Sequence, residues 1–274
     1  MSARNVHQLA LITGTSSGIG LELAKTLASR ERCDLILVAR TKEKLDQLAH
    51  ELEKKYSIRC HAIAMDLGQH GSARNLYDQV KKMGLSPDIL INNAGFGDVG
   101  AFVHAKDAKI ENMMTLNMET LTLLTRYFAA DMVEQRKGRI LNVASIAAFQ
   151  PGPYMAVYYA TKAYVLSFTE ALAVELKKSG VTITALCPGP VLTGFQSGAN
   201  MAEDAGMLKT PAVLPAAKVA EIGYAAMKDG STVAIAGTIN RLMTFSTRLA
   251  PRSITAKIAG RLNRSHKHKS EKVL

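Results

Sequence analysis

The chain has 274 residues, of which 47% are hydrophobic and 21% charged, with three cysteines and a formal net charge of +11 at pH 7. This length can bury a proper core as one large α/β domain or two small ones, and the composition is ordinary for a globular protein. No apolar run approaches the roughly 18–20 residues that span a bilayer, and residues 1–9 are polar, so neither a membrane span nor a secretory signal is expected. Cys33, Cys60 and Cys187 are odd in number and lack close spacing. They are expected to be buried free thiols of a cytoplasmic protein rather than disulfides or metal ligands. Residues 241–274 carry a net +8, which leaves +3 for residues 1–240. The basicity belongs to an appendage, and no nucleic-acid motif or interleaved aromatics accompany it, so nucleic acid is not an expected partner.

Residues 8–13 read as a short buried strand that runs into Gly14-Thr15-Ser16-Ser17-Gly18-Ile19-Gly20 and then a helix over 21–30. A strand, a glycine-rich turn and a helix N-terminus together suit a pyrophosphate, because backbone N–H groups and the helix dipole face the anion. Residues 34–39 form a second buried strand ending at Ala39-Arg40. An acid at that junction would bind a ribose 2′-hydroxyl, whereas an arginine suits a 2′-phosphate through charge-assisted contacts. NADP is therefore expected over NAD. A helix over 41–56, a strand over 59–64 ending near Asp66 and Leu67, and a helix over 72–83 follow. A strand over 89–91 then leads into Asn92-Asn93-Ala94-Gly95. The pattern continues with a long helix over 109–135 carrying Asn117, and a strand over 139–143 ending at Ser145. A helix over 155–178 and a strand over 182–187 come next. Residues 188–211 are too long for a simple connection and read as a substrate lid. A helix over 215–228 and a strand over 232–236 complete the pattern. Strands alternating with helices predict an α/β, doubly wound parallel sheet of about seven strands with helices on both faces, its ligands at the C-terminal strand ends.

Tyr158 and Lys162 lie one helical turn apart on one face. A phenol near pKa 10 is a poor acid or base at neutral pH, and a fixed ammonium beside it favours the phenolate. Such a pair suits proton exchange with a carbonyl/alcohol couple. Tyr159 is a rival, but its neighbour four residues on is Ala163, which supplies no cation. In order, Thr13-Gly14-x-x-x-Gly18-x-Gly20, Asn92-Asn93-Ala94-Gly95, Asn117, Ser145, Tyr158-x-x-x-Lys162 and Pro188-Gly189-x-x-x-Thr193 resemble the motif set of the short-chain dehydrogenase/reductase family. The resemblance covers residues 5 to about 238 and implies a compact Rossmann-like domain over 1–238, with a basic helical extension over 239–274.

The resemblance also implies roles. Tyr158 is the general acid or base, Lys162 lowers its pKa and holds the nicotinamide ribose, and Ser145 binds the substrate oxygen. Asn117 anchors a water through a local distortion of its helix. Gly14, Ser16, Ser17, Gly18, Ile19 and Gly20 cradle the cofactor, with Arg40 at the 2′-phosphate and Asp66 and Leu67 beside adenine. Asn92, Asn93, Ala94 and Gly95 line the cofactor cleft, and Pro188, Gly189, Val191 and Thr193 hold the nicotinamide amide. The implied activity is NADPH-dependent transfer of a hydride to a carbonyl, or the reverse from a secondary alcohol. The rival is a catalytically silent dinucleotide sensor on the same fold, against which the complete proton relay speaks. Phe149, Tyr154, Phe195, Met201 and Met207 are candidate pocket residues, consistent with an apolar ketone, sterol or acyl chain. A homodimer or homotetramer is expected.

Beyond residue 238, Ile239, Leu242, Met243, Ser246 and Leu249 form one helical stripe, and Ile254, Ile258 and Leu262 a second beside Arg252, Lys257 and Arg261. Two roles fit: a basic amphipathic helix lying on an anionic membrane surface, or a helix packed on its own body or on a subunit with its cations solvated. The second is the expectation, and residues 264–274 are expected to be disordered.

Overall fold

The computed structural model describes residues 7–192, 199 and 210–263. Its centre is a seven-stranded parallel sheet in the order β3-β2-β1-β4-β5-β6-β7. The strands are β1 (Leu9–Thr13), β2 (Asp34–Ala39), β3 (Cys60–Ala64), β4 (Ile89–Asn92), β5 (Gly138–Val143), β6 (Val181–Cys187) and β7 (Val233–Ile235). Strands β1 and β4 are buried throughout, as expected where helices cover both faces of a parallel sheet. Alternate residues feed opposite layers. Ala10, Ile12, Leu35 and Leu37 pack with α1 (Gly18–Glu31), α2 (Lys42–Tyr56) and α7 (Ala216–Lys228). Leu9, Leu11, Ile36 and Val38 pack with α3 (Ser72–Lys82) and α5 (Leu121–Glu134), and the end of α6 (Ala156–Glu175) joins that layer.

The sheet order reverses between β1 and β4, which pair in parallel with β2 and β5 on their outer sides. Connections leave these two strands in opposite directions, and that opens a crevice at their C-terminal ends. The single helix expected over 109–135 is instead α4 (Asp107–Met114) and α5, joined by a π turn at Thr115–Thr120. The wider turn is held by buried polar anchors: Thr120 Oγ1 donates to Leu67 O at 2.8 Å, and Asn117 reaches the chain after β4. A local π turn inside a helix leaves no mark in apolar periodicity.

The C-terminal helices α8 (Thr238–Ser246) and α9 (Arg252–Asn263) pack back on the body. Asn263 Nδ2 donates to Pro153 O at 3.0 Å, and Gly260 lies against the Pro153 ring. No helix among the described residues is long and apolar enough to cross a membrane. The stretches 193–198 and 200–209, which hold Thr193, Phe195, Met201, Met207 and most of the expected lid, lie outside the described residues, as do residues 264–274. The three cysteines are free; Cys33 and Cys187 are buried, but Cys60 is half-buried because β3 is an edge strand.

Candidate active site

A cleft of about 680 Å3 opens at the C-terminal ends of the central strands. Its floor near β1 is backbone. Gly14 adopts φ +75° and Gly18 φ +62°, left-handed conformations that tolerate glycine best. A methyl group on Gly14 would lie 2.7 Å from Asn93 Nδ2, and one on Gly20 would collide with the Gly14 carbonyl and the same amide. Asn93 Nδ2 donates to Thr13 O at 2.9 Å and to Gly14 O at 3.2 Å, so the end of β4 clamps the turn after β1. At the start of α1, Ser17 has extended backbone and its side chain caps nothing, and the first turn holds no acid. The buried Thr15 Oγ1 has no hydrogen-bond partner among the described residues. Free amides at a helix N-terminus over a glycine floor match a pyrophosphate. These residues fit a nicotinamide dinucleotide.

Gly14, Ser16, Ser17, Gly18 and Ile19 all line the cleft, as do Arg40, Asp66, Leu67, Asn93, Ala94 and Gly95. Pro188, Gly189 and Val191 form the wall after β6. Gly20 stands behind the floor against Asn93. Asn92 does not line the cleft. It points into the layer beneath, donating to Thr125 Oγ1 and Asn142 Oδ1, both at 2.9 Å. The period of two along β4 gives the cleft to Asn93 and the interior to Asn92. Asp66 Oδ1 accepts from Gly68 N at 3.0 Å, which fixes the turn it sits on.

The four residues of the expected relay converge from three elements: Ser145 from the end of β5, Asn117 from the π turn, and Tyr158 and Lys162 from α6. Ser145, at the end of β5, accepts from Ala147 N at 3.1 Å and shares a hydrogen bond with the Tyr158 hydroxyl. Lys162 is buried, donates to Val143 O at 2.7 Å and lies 5.8 Å from the Tyr158 ring centre. Asn117 stands behind the cleft, donating to Phe96 O at 2.9 Å and Thr161 Oγ1 at 3.0 Å while accepting from Phe96 N. Its side-chain amide is therefore committed to protein groups, which ties the chain after β4 to α6.

The electrostatics depart from the expectation that Lys162 draws the phenol down. Burial pushes Tyr158 up to about 12, against a smaller downward pull from the Ser145 hydrogen bond, and burial pushes Lys162 down to about 8. Desolvation disfavours the charged form of each group and is the largest influence on both. Tyr158 is thus held as a protonated donor at neutral pH.

The far end of the cleft was not legible beforehand. Met155, Tyr159, Met243, Ala259, Leu262 and Asn263 line it, the last four from α8 and α9. Tyr159 is a buried wall residue whose hydroxyl donates to Asn263 Oδ1 at 3.2 Å. Of the apolar candidates, Phe149 and Tyr154 stay outside the cleft, and Phe149 borders a smaller groove beside α8. Helical spacing marked Met243 and Leu262 as apolar, but nothing in the sequence carried them to the cleft.

A doubly wound parallel sheet with a dinucleotide floor and a Ser–Tyr–Lys wall at its switch point defines an oxidoreductase that transfers hydride. A family model for short chain dehydrogenases matches residues 8–204. The chain belongs to the short-chain dehydrogenase family. It is 31% identical over 227 residues to a very-long-chain 3-oxoacyl-CoA reductase of Anas platyrhynchos, covering 81% of this chain and 70% of that protein. Among solved structures, a short-chain dehydrogenase from Sphingobium yanoikuyae in complex with NADPH superposes with a TM-score of 0.78 at 31% identity, over 88% of this chain and 93% of that one. A bulky-bulky ketone specific alcohol dehydrogenase from Comamonas testosteroni gives 0.74 at 29% identity, over 88% and 92%.

Proposed function

We propose that the protein is an NADP(H)-preferring carbonyl reductase, or in reverse a dehydrogenase of the matching secondary alcohol, acting on an apolar substrate. The observation that carries this reading is the hydrogen-bonded Ser145–Tyr158 pair, with Lys162 behind it, in the same cleft as the glycine floor. When bound, the nicotinamide supplies the hydride for the carbonyl carbon. The Ser145 and Tyr158 hydroxyls bind the carbonyl oxygen as negative charge develops on it, and preorganised donors matter most at that point. Tyr158 Oη passes its proton to that oxygen, and the Lys162 ammonium stabilises the phenolate left behind. Asn117 holds the wall by bridging Phe96 and Thr161.

Arg40 ends β2 at the cleft edge and is exposed, and no acid occupies that junction. A guanidinium there suits a 2′-phosphate, and the NADPH complex of the Sphingobium relative agrees. The Anas relative is a very-long-chain 3-oxoacyl-CoA reductase and the Comamonas relative is specific for bulky-bulky ketones. Both, like the apolar far end of this cleft, support an apolar carbonyl substrate. The free thiols support a cytoplasmic setting.

The test is a titration with NADPH and NADH separately, following nicotinamide fluorescence, with Arg40→Gln alongside. NADPH should bind about 10–100-fold more tightly than NADH, and the variant should lose most of that margin, since a hydrogen bond to a charged group is worth roughly 1.5–3 kcal/mol. Equal affinities in the wild type would remove the role given to Arg40.

A further inference from the structure

The two C-terminal helices are packed inside out. On a helix that serves only to cover a core, the apolar stripe turns inward and the polar face outward. In α8 the buried residues are Asn240 and Thr244, whereas Leu242 is 65% and Phe245 59% exposed. In α9 the buried face is Thr255, Ala259, Gly260 and Asn263, whereas Ile254 is 49% and Ile258 53% exposed. Most of the inward polar groups are engaged: Asn240 Nδ2 donates to Ala212 O and Ala236 O, and Asn263 bridges Tyr159 and Pro153, while Asn240 Oδ1 has no partner among the described residues. The inverted packing is therefore built, with the small and polar residues seated on the body and the apolar ones left outside.

The same surface is purely cationic. Arg241, Arg248, Arg252, Lys257 and Arg261 are exposed on it, and the sequence holds no acid between Asp229 and Glu271. A second copy docked through this face by a two-fold axis would set cations against cations. A nucleic acid would neutralise the cations and leave the apolar side chains in water. An anionic bilayer satisfies both, taking the aliphatic and aromatic groups into the acyl boundary and the cations at the headgroups. The two helices also border the cleft, through Met243 on α8 and Leu262 on α9, which line it while still partly exposed.

We propose that the solvent face of α8 and α9 docks on an anionic lipid bilayer and seats the mouth of the cleft against it. An apolar carbonyl compound could then enter from the lipid without crossing water. This second half rests on the hydride-transfer reading; the docking does not.

The experiment is flotation of the full-length protein with vesicles of phosphatidylcholine alone, or of equal parts phosphatidylcholine and phosphatidylglycerol. The wild type should float with the mixed vesicles and far less with phosphatidylcholine. Replacing Leu242, Phe245, Ile254 and Ile258 together by glutamine should reduce partitioning at least about tenfold, because that much apolar area no longer enters the lipid. NADPH affinity and thermal midpoint should hold. Replacing Arg248, Arg252, Lys257 and Arg261 by glutamine should abolish the preference for phosphatidylglycerol. Equal flotation of the wild type and the apolar variant would overturn the proposal, as would a wild type that floats with neither vesicle. A wild-type dimer that the apolar variant dissolves, without flotation, would identify a second copy as the occupant and overturn it too. A failed enzyme reading would show separately, as absent NADPH binding whatever the vesicles do.

Discussion

At the end of the cleft beside β1 the walls are backbone, with Gly14 and Gly20 closing on the Asn93 amide and Gly18 in a left-handed conformation. At the other end they are side chains, drawn from Met155 and Tyr159 on one side and from Met243, Ala259 and Leu262 on the other. The first end is crowded by main-chain atoms and tolerates almost no substitution. The second is held by single hydrogen bonds across a long sequence separation, such as Tyr159 to Asn263. A cofactor common to a whole family is met by geometry that cannot vary, and a substrate that differs among members is met by side chains that can.

The largest expected effect falls between the two ends. Tyr158→Phe should lower turnover by about 10²–10⁴-fold, the usual worth of a general acid, while NADPH affinity and thermal midpoint stay put. A steady-state assay returning near-wild-type turnover would take the proton away from Tyr158 and with it the boundary between the ends.

Gly20→Ala tests the rigid end. Its added methyl meets the Gly14 carbonyl and the Asn93 amide, so the variant should lose roughly 1–3 kcal/mol of stability and most of its cofactor binding. Denaturant unfolding and fluorescence titration together read this out. A stable variant with full NADPH affinity would mean that the floor yields where it is described as fixed.

Lys162→Met sharpens the electrostatic picture. The Lys162 pKa is about 8 in the fold against 10.5 for the free side chain, so between these values the unfolded chain binds the extra proton and stability rises with pH. Below pH 8 the buried ammonium costs stability. At pH 7 the variant should therefore melt about 2–6 °C higher than the wild type, lack the rise from pH 8 to 10.5, and have lost turnover. Tyr158 acts in the opposite sense: its pKa is raised from 10 to about 12, so stability should fall as pH climbs through that window. A lower midpoint for Lys162→Met at pH 7 would show that the ammonium is better compensated than its surroundings indicate.

Asn263→Ala probes the adaptable end and should have the smallest effect. It removes the bonds to Tyr159 and Pro153, at a cost of about 1–2 kcal/mol. KM for a bulky ketone should rise while kcat and NADPH affinity hold. A fall in kcat with KM unchanged would place Asn263 in the relay rather than in the wall.

Much of this was legible in the chain, and the reasons are local. The buried strands, the Gly14–Gly20 turn and the Tyr158/Lys162 spacing announce themselves because strand periodicity, φ requirements and helical spacing act over a few residues, whereas Ser145 came only with the family resemblance. Asn92 misled, because assigning it to the cleft needed the phase of β4 and not just its presence. The distortion at Asn117 came only with the family resemblance and not from the helical pattern, because the anchors of the π turn at Thr115–Thr120, Leu67 and Phe96, come from elsewhere in the fold. The apolar stripes of residues 239–262 were visible as stripes, but not the side on which they would end.

By itself, then, the sequence determined the doubly wound sheet, which follows from short-range pattern and backbone sterics, and the family, through the ordered set of motifs at the strand ends. Only the tertiary structure decided that burial dominates the electrostatics of Tyr158 and Lys162, that α9 walls the cleft, and that the last two helices turn their apolar faces outward. Each of these depends on which distant atoms surround a group, and burial, not composition, sets its energy.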